Sequence, residues 1–383
     1  MTALLAALAL LASDEGGVVW TCITGTGLDD QIDAMTLDPA GRIVAVGRTG
    51  VTSENTDGWI LLVDSGRGAI QWQNTLGGPG RDEFLDIAVV DSCYLAVGRT
   101  NSTGNGDYDL WAVLFDEEGN CLWQKTAGGS LEDECTSVVA VPGSGAVAAG
   151  YTWSEGSGGS DLWMVRLARN GDIEWSRMFG GLGQEKAFCA ILADSGTVVA
   201  GGVTYSFSSV SGDAYIVACD LWGQEIWSTY RGGSGYDFAM DLAPGQGGGL
   251  TAACWSKRTT CAVWAFALDG SGQFLSDWVA ATMSDLRVEA MEPMPGGNWA
   301  VAGTTEDPVT GDRNIFTWLL SDSMDALWSE TTGGPADEFC TDALVLPDGS
   351  IVVCGAADTE DKDNQGWLVC LRPVLPADLE EAE

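Results

Sequence analysis

Brief apolar stretches alternate with clusters of Gly, Pro, Asn and Asp along nearly the whole chain. Runs such as Ile43-Val44-Ala45-Val46, Leu95-Ala96-Val97 and Val147-Ala148-Ala149 each pass through a glycine and end on Thr49, Thr100 and Thr152, the pattern of a strand closing at a turn. A second set opens on a polar residue two before an aromatic: Asp57-Gly58-Trp59, Asp109-Leu110-Trp111, Asp161-Leu162-Trp163, Asp213-Ala214-Tyr215 and Asn314-Ile315-Phe316. Alternating apolar residues follow, which predicts another strand. Asp38-Pro39-Ala40-Gly41 and Pro347-Asp348-Gly349-Ser350 supply tight-turn chemistry between strands. No apolar stripe of helical period competes with this reading.

The pattern repeats. Tryptophan recurs at Trp20, Trp72, Trp123, Trp175, Trp227, Trp278 and Trp328, at spacings of 50 to 52 residues. Four short strands per unit at that period are the signature of propeller blades, and seven copies predict an all-β, seven-bladed β-propeller of four-stranded blades. The chain begins with a lone Trp strand, Val18 to Thr24, and ends with strands near Cys340, Val352 and Trp367. Neither end makes a blade alone, so the N-terminal strand is expected to join the C-terminal blade and close the ring. The propeller then occupies 14–372, one domain despite its length.

Composition narrows the chemistry. The chain has 383 residues with 17 Lys and Arg against 55 Asp and Glu, a formal charge of −38, and no histidine. Such a balance opposes nucleic-acid and anionic-membrane binding. Lack of imidazole removes Ser–His and Cys–His nucleophile pairs and histidine metal ligands. Residues 1–13 carry an Ala/Leu run and the small pair Ala12-Ser13, which predicts a signal peptide without the usual basic start. Export to a secreted, periplasmic or cell-surface location follows from it. No other segment is apolar enough to span a bilayer, and 373–383 reads as an acidic, disordered tail. A monomer is expected.

The string Asp109-Leu110-Trp111, Asp116-Glu117-Glu118-Gly119, Trp123, Gly128-Gly129, Asp133-Glu134, Val138-Val139 and Gly150-Tyr151-Thr152 resembles the bacterial seven-bladed propeller repeats called SBBP repeats. The resemblance covers nearly the whole chain, and implies an exported bacterial protein with a binding role. The Asp-x-x-Gly-x-x-x-Trp segment is also similar, more weakly, to repeats of quinoprotein-type (PQQ-like) propellers. Cys254-Trp255-Ser256 departs from the Gly-x-Thr pattern, and Ala280-Ala281 replaces a double glycine, so blades five and six are irregular.

Ten residues after each repeat Trp stand Asp30, Asp82, Asp133, Glu185, Asp237, Val288 and Glu338, with Asp285 near the exception. Two readings apply. The acids ring one channel mouth and offer hard oxygen ligands, which makes Ca2+ the candidate cofactor; or each caps a turn by accepting backbone N–H bonds. Among out-of-phase aromatics, Trp153, Trp222, Trp255 and Tyr205-x-Phe207 are the ligand-binding candidates, while the in-phase tryptophans pack between blades. Eleven cysteines include equivalent strand positions, which suit buried filler. Cys254 and Cys261 flank a short loop and are the candidate disulfide. The functional expectation is a non-catalytic binding propeller for a protein or polysaccharide, supported by calcium. Its alternative is a propeller enzyme: a carboxylate-based glycan hydrolase or lyase, or a quinone-dependent dehydrogenase.

Overall fold

A computed structural model describes residues 17–373 apart from positions 53, 194–195, 208–210, 246–247, 258–260, 282–285, 308, 335 and 359–363. The strands form seven separate four-stranded antiparallel sheets, the architecture of a seven-bladed β-propeller. In chain order β1 is Gly17–Thr24. Blade one is β2 (Gln31–Leu37), β3 (Ile43–Thr52), β4 (Asn55–Val63) and β5 (Ile70–Leu76); blade two is β6 (Asp82–Val90), β7 (Cys93–Thr100), β8 (Asp109–Phe115) and β9 (Cys121–Ala127). Blade three is β10 (Asp133–Ala140), β11 (Ala146–Thr152), β12 (Asp161–Leu167) and β13 (Ile173–Phe179); blade four is β14 (Glu185–Ala193), β15 (Thr197–Thr204), β16 (Asp213–Cys219) and β17 (Glu225–Arg231). Blade five is β18 (Tyr236–Pro244), β19 (Leu250–Lys257), β20 (Cys261–Leu268) and β21 (Phe274–Ala281), and blade six is β22 (Leu286–Pro293), β23 (Trp299–Glu306), β24 (Arg313–Leu320) and β25 (Ala326–Thr332). Blade seven holds β26 (Glu338–Val345), β27 (Ile351–Asp358) and β28 (Asn364–Arg372), and β1 pairs with β28 as its fourth strand, as the phase of the ends predicts.

The chain divides into two compact units, one with blades six, seven and one, the other with blades two to five. Within each unit the core is a series of apolar layers between adjoining blades. One joins Trp20, Ile32, Trp59 and Leu61 to Val352 and Leu368, and another joins Leu95, Val97 and Leu110 to Cys135, Trp163 and Val165.

The repeated motifs have physical causes. In Asp-x-x-Gly-x-x-x-Trp the aspartate makes the turn, as Asp116 accepts the amides of Glu118 and Asn120 at 3.1 and 2.7 Å. The glycine sits at positive φ, +79° at Gly171, and leaves room for the Trp123 ring of the preceding blade. That indole then donates to the Arg169 carbonyl at 3.0 Å, and Trp20, Trp175 and Trp227 repeat the bond to Ser65, Leu221 and Gly270. The repeat tryptophan is thus a lock onto the neighbouring blade. The glycine of Gly-x-Thr has a different reason: a Cβ on Gly98, Gly150 or Gly202 would collide with the backbone carbonyl of Glu83, Glu134 or Lys186 on the paired first strand.

A further device was not legible in the sequence. Each first strand carries a bulge, and in blades two, three and seven the side chain just past it bonds to the next blade. Asp86 accepts the Val138 amide at 2.7 Å and the Ser137 hydroxyl at 2.9 Å. Ser137 accepts the Ala190 amide at 3.1 Å, and Asp342 accepts the Met35 amide at 2.7 Å. Residue type at this clamp varies, so no motif marks it.

Candidate functional site

The acidic positions ten residues after the tryptophans are buried at the start of the first strand of their blades. Asp133 accepts the amide of Gly129 and the hydroxyl of Ser154, both at 2.6 Å, and the hydroxyl of Thr152. Asp82 takes Gly78 N at 2.7 Å, Ser102 Oγ at 2.6 Å and the Thr100 hydroxyl. Glu185 takes Gly181 N at 2.8 Å and Thr204 Oγ1 at 2.7 Å. Asp237 accepts Gly233 N at 2.8 Å and Ser256 Oγ at 2.5 Å, and Asp30 accepts Thr26 N at 2.6 Å and Thr49 Oγ1 at 2.5 Å. Each carboxylate therefore ties the entering loop to the end of the second strand, which is why the acid and the Thr of Gly-x-Thr recur together. Glu338 faces Ala357 in the register, lacks a hydroxyl there, and leaves Oε2 buried without a partner. In blade six the register puts Leu286, not Val288, opposite Thr305, so the count from Trp278 overshoots by two residues and this blade has an apolar cap position. Asp285 lies outside the described residues.

These carboxylates do not line an open surface, and their oxygens are already accepting N–H and O–H bonds. Among the described residues, no three Asp, Glu or Cys side chains converge as a metal site. Cys254 is a buried free thiol with Trp264 opposite it, whereas Cys261 faces Lys257 in the register. The hairpin therefore sets the two cysteines three positions apart and does not pair them.

An accessible surface of another kind runs along the cap edge of blades four and five. Phe207 and Tyr230 stack at 5.5 Å with 25° between planes, 44% and 48% exposed. Tyr215 lies beneath Phe207 at 5.7 Å. Tyr205 and Tyr236 are exposed beside them, and Leu182 stands 85% exposed on the loop before β14. Tyr236 meets Phe238 edge-on at 6.1 Å, Phe238 meets Trp255 at 5.4 Å, and Lys257 lies over the Trp255 ring at 5.9 Å. The buried Trp255 indole N–H has no partner. Of the aromatics singled out in the sequence, Trp255, Tyr205 and Phe207 belong to this strip. Trp153 is half-buried on the same edge of blade three, and Trp222, 75% exposed, sits on the β16–β17 turn at the opposite edge. Tyr230, Tyr236 and Phe238 were missed because they are in strand register; the outward alternation of β17 was the available signal.

Toward blades two and three the same edge becomes charged. Arg99 bridges Glu83 at 2.7 Å and Glu134 at 2.9 Å, and its guanidinium lies 4.7 Å from the Tyr108 ring centre. Burial opposes the Arg99 charge, but the two carboxylates more than reverse that and hold its pKa above the ordinary value. Tyr151 donates to Glu132 at 2.6 Å, and the Lys186 ammonium sits 3.5 Å from its ring centre. Burial draws the Lys186 pKa down against the opposing pull of Glu134 and Glu132. Burial, Glu134 and the bond to Glu132 push the Tyr151 hydroxyl up, so it stays a donor. The strip thus offers exposed ring faces next to cations that are already held by rings or carboxylates.

No protein-family model matches the sequence, and no curated protein matches it. Solved structures are similar in fold. A Dyadobacter fermentans protein described as of unknown function aligns with TM-score 0.51 at 10% identity, covering 76% of this chain and 94% of its own. Sqt1 of Chaetomium thermophilum aligns at 0.49 and 14% identity over 86% of this chain and 80% of its own. NanB sialidase of Streptococcus pneumoniae aligns at 0.45 and 10% identity over 90% and 68%. At such identities the likeness concerns fold alone. The class is a seven-bladed β-propeller, and no helix among the described residues is long and apolar enough to cross a membrane.

Proposed function

We propose that this is a non-catalytic binding propeller of the SBBP-repeat kind, exported by a bacterium, whose ligand is a polysaccharide laid on the aromatic strip of blades four and five. The observation that carries the reading is the exposed Phe207–Tyr230 stack, continued by Tyr205, Tyr236 and Trp255. Exposed rings supply large contact area at low entropic cost, and their faces suit the apolar faces of sugar rings. With a formal charge of −38, neutral glycans are favoured over anionic ones. The enzymatic alternative finds less support, because the most regular carboxylates are consumed in buried caps. The test is a titration with soluble neutral polysaccharides, read by tryptophan fluorescence, alongside a reducing-end assay. Saturable binding abolished in a Phe207→Ala/Tyr230→Ala double variant of unchanged thermal stability is expected. Release of reducing ends would replace the binding reading by a hydrolytic one, and binding untouched by the double variant would move the site elsewhere.

A further inference from the structure

We propose that three blade junctions among blades two to five each hold one proton, shared between two buried carboxyl groups that meet across a glycine. Beside each cap carboxylate stands the residue that opens the third strand of the preceding blade. Asp109 and Asp133 meet at Gly128, Asp161 and Glu185 at Gly180, and Asp213 and Asp237 at Gly232; in each case a Cβ on the glycine would collide with oxygens of both acids. Asp109 is 2% exposed, and its Oδ2 accepts the Asn105 amide at 2.6 Å while its Oδ1 is buried without a partner. Oδ1 of Asp213 is in the same condition. Two carboxylates in so small a dry space do not both ionise, and something positive or a hydrogen-bond donor must lie between them.

The other unit shows what that something replaces. At the corresponding junctions an amide stands at the start of the third strand: Gln365 Nε2 donates to Asp30 Oδ2 at 3.3 Å, whereas Asn314 meets Glu338 at Gly333 through its Oδ1 and sends its amide donor to the Asp312 carbonyl at 3.4 Å. An amide is a fixed version of a protonated carboxyl, with one accepting oxygen and one donating side. Where an aspartate stands instead, a proton restores the donor. A metal ion suits the space less well, because the cap oxygens already receive N–H and O–H bonds, and among the described residues no third acidic or thiol ligand joins either acid. The neighbours that bear on each group are few. Asp109 faces Asp133 and the Asn105 amide, Asp161 faces Glu185 and the Ser157 amide, and Asp213 faces Asp237; burial first and the facing carboxylate second raise all three above the ordinary range.

The sign follows from linkage. A carboxyl whose folded pKa is raised binds its proton more tightly folded than unfolded, so its contribution is full below the unfolded pKa of about 4 and fades as pH rises through the folded value. Blades two to five are therefore held more firmly in mildly acid surroundings than in alkaline ones.

The test uses the full chain with Asp109→Asn, Asp161→Asn and Asp213→Asn, singly and together, in urea unfolding between pH 5 and 8 with chelator or with calcium. Each asparagine variant should equal or exceed wild type at pH 8. The triple variant should lose pH dependence worth up to about tenfold in the folding constant per pH unit per junction within the titration window. The reverse change, Asn314→Asp, should weaken folding at pH 8 and recover it at pH 5. Asparagine variants that are weaker or unfolded at pH 8, unchanged pH slopes, or calcium stabilisation present in wild type and lost in the triple variant would each overturn the shared proton, the last in favour of a cation. None of these outcomes depends on ligand binding at the aromatic strip.

Discussion

The clamp between blades two and three makes a prediction that can be worked through. Asp86 is half-buried, accepts the Ile87 and Val138 amides at 2.7 Å each, and takes the Ser137 hydroxyl at 2.9 Å. Burial outweighs these bonds and pushes its pKa up to about 6. Asp86→Ala strands two buried amides, each worth about 1–3 kcal/mol when left without an acceptor, so a loss of about 2–6 kcal/mol is expected at pH 5. The raised carboxyl favours folding when protonated, fully below about pH 4, and this contribution is lost as pH rises through 6. Between pH 8 and pH 5 the shift is worth about 1.4 kcal/mol, or one pKa unit. The gap between wild type and Asp86→Ala should therefore be wider at pH 5 than at pH 8 by about that amount. Urea unfolding followed by tryptophan fluorescence at the two pH values reads it, with Asp86→Ser as a milder control because Ser137 occupies the same register one blade on. An equal gap at both values, or a wider one at pH 8, refutes the argument that burial dominates this clamp.

Other consequences are simpler to check. Thr152→Val deletes one hydrogen bond to the buried Asp133 and should cost about 1.5–3 kcal/mol in urea unfolding, whereas the same change at exposed Thr126 should cost little. Gly150→Ala drives a Cβ into the Glu134 carbonyl and should destabilise by about 1–3 kcal/mol, while Cys254→Gly, at the equivalent register position of blade five, should fold normally by circular dichroism. Native alkylation by iodoacetamide should label Cys121 first and Cys93 slowly, with the buried thiols, Cys254 included, reacting only after unfolding; mass mapping that finds Cys254 blocked in a disulfide would contradict the register.

The architecture was legible because its causes are local and repeat in phase: a turn aspartate, a glycine under a tryptophan ring, and an acid that needs the Thr of the adjoining strand. Blade six was misread at Val288 because counting assumes a constant connection, and there the chain arrives two residues early, with Leu286 in the cap position. Asp86, Ser137 and Asp342 stayed hidden since two side-chain types at one register, Asp and Ser, answer the same need, an acceptor for the neighbouring blade's amide. The acids themselves were visible, but whether they faced solvent or a turn depended on strand register, which composition does not carry. The aromatic strip was half legible. Tyr205, Phe207 and Trp255 stood out of phase, whereas Tyr230 and Phe238 occupy ordinary strand positions and become neighbours only once the blades are packed.

Blade seven has a consequence for biosynthesis. Its outer strand, Gly17–Thr24, bonds to Gly366–Arg372, so β1 stays unpaired until the strands of all the blades between them have been made. Blades two to five draw their strands from continuous sequence and can assemble as they emerge. β1 meanwhile travels as an unpaired Val-Val-Trp-Thr-Cys-Ile segment with an open edge, the kind of surface that recruits another chain. Conditions that slow synthesis or crowd the nascent protein should therefore show themselves first as failure of this single pairing, with the remaining blades already built.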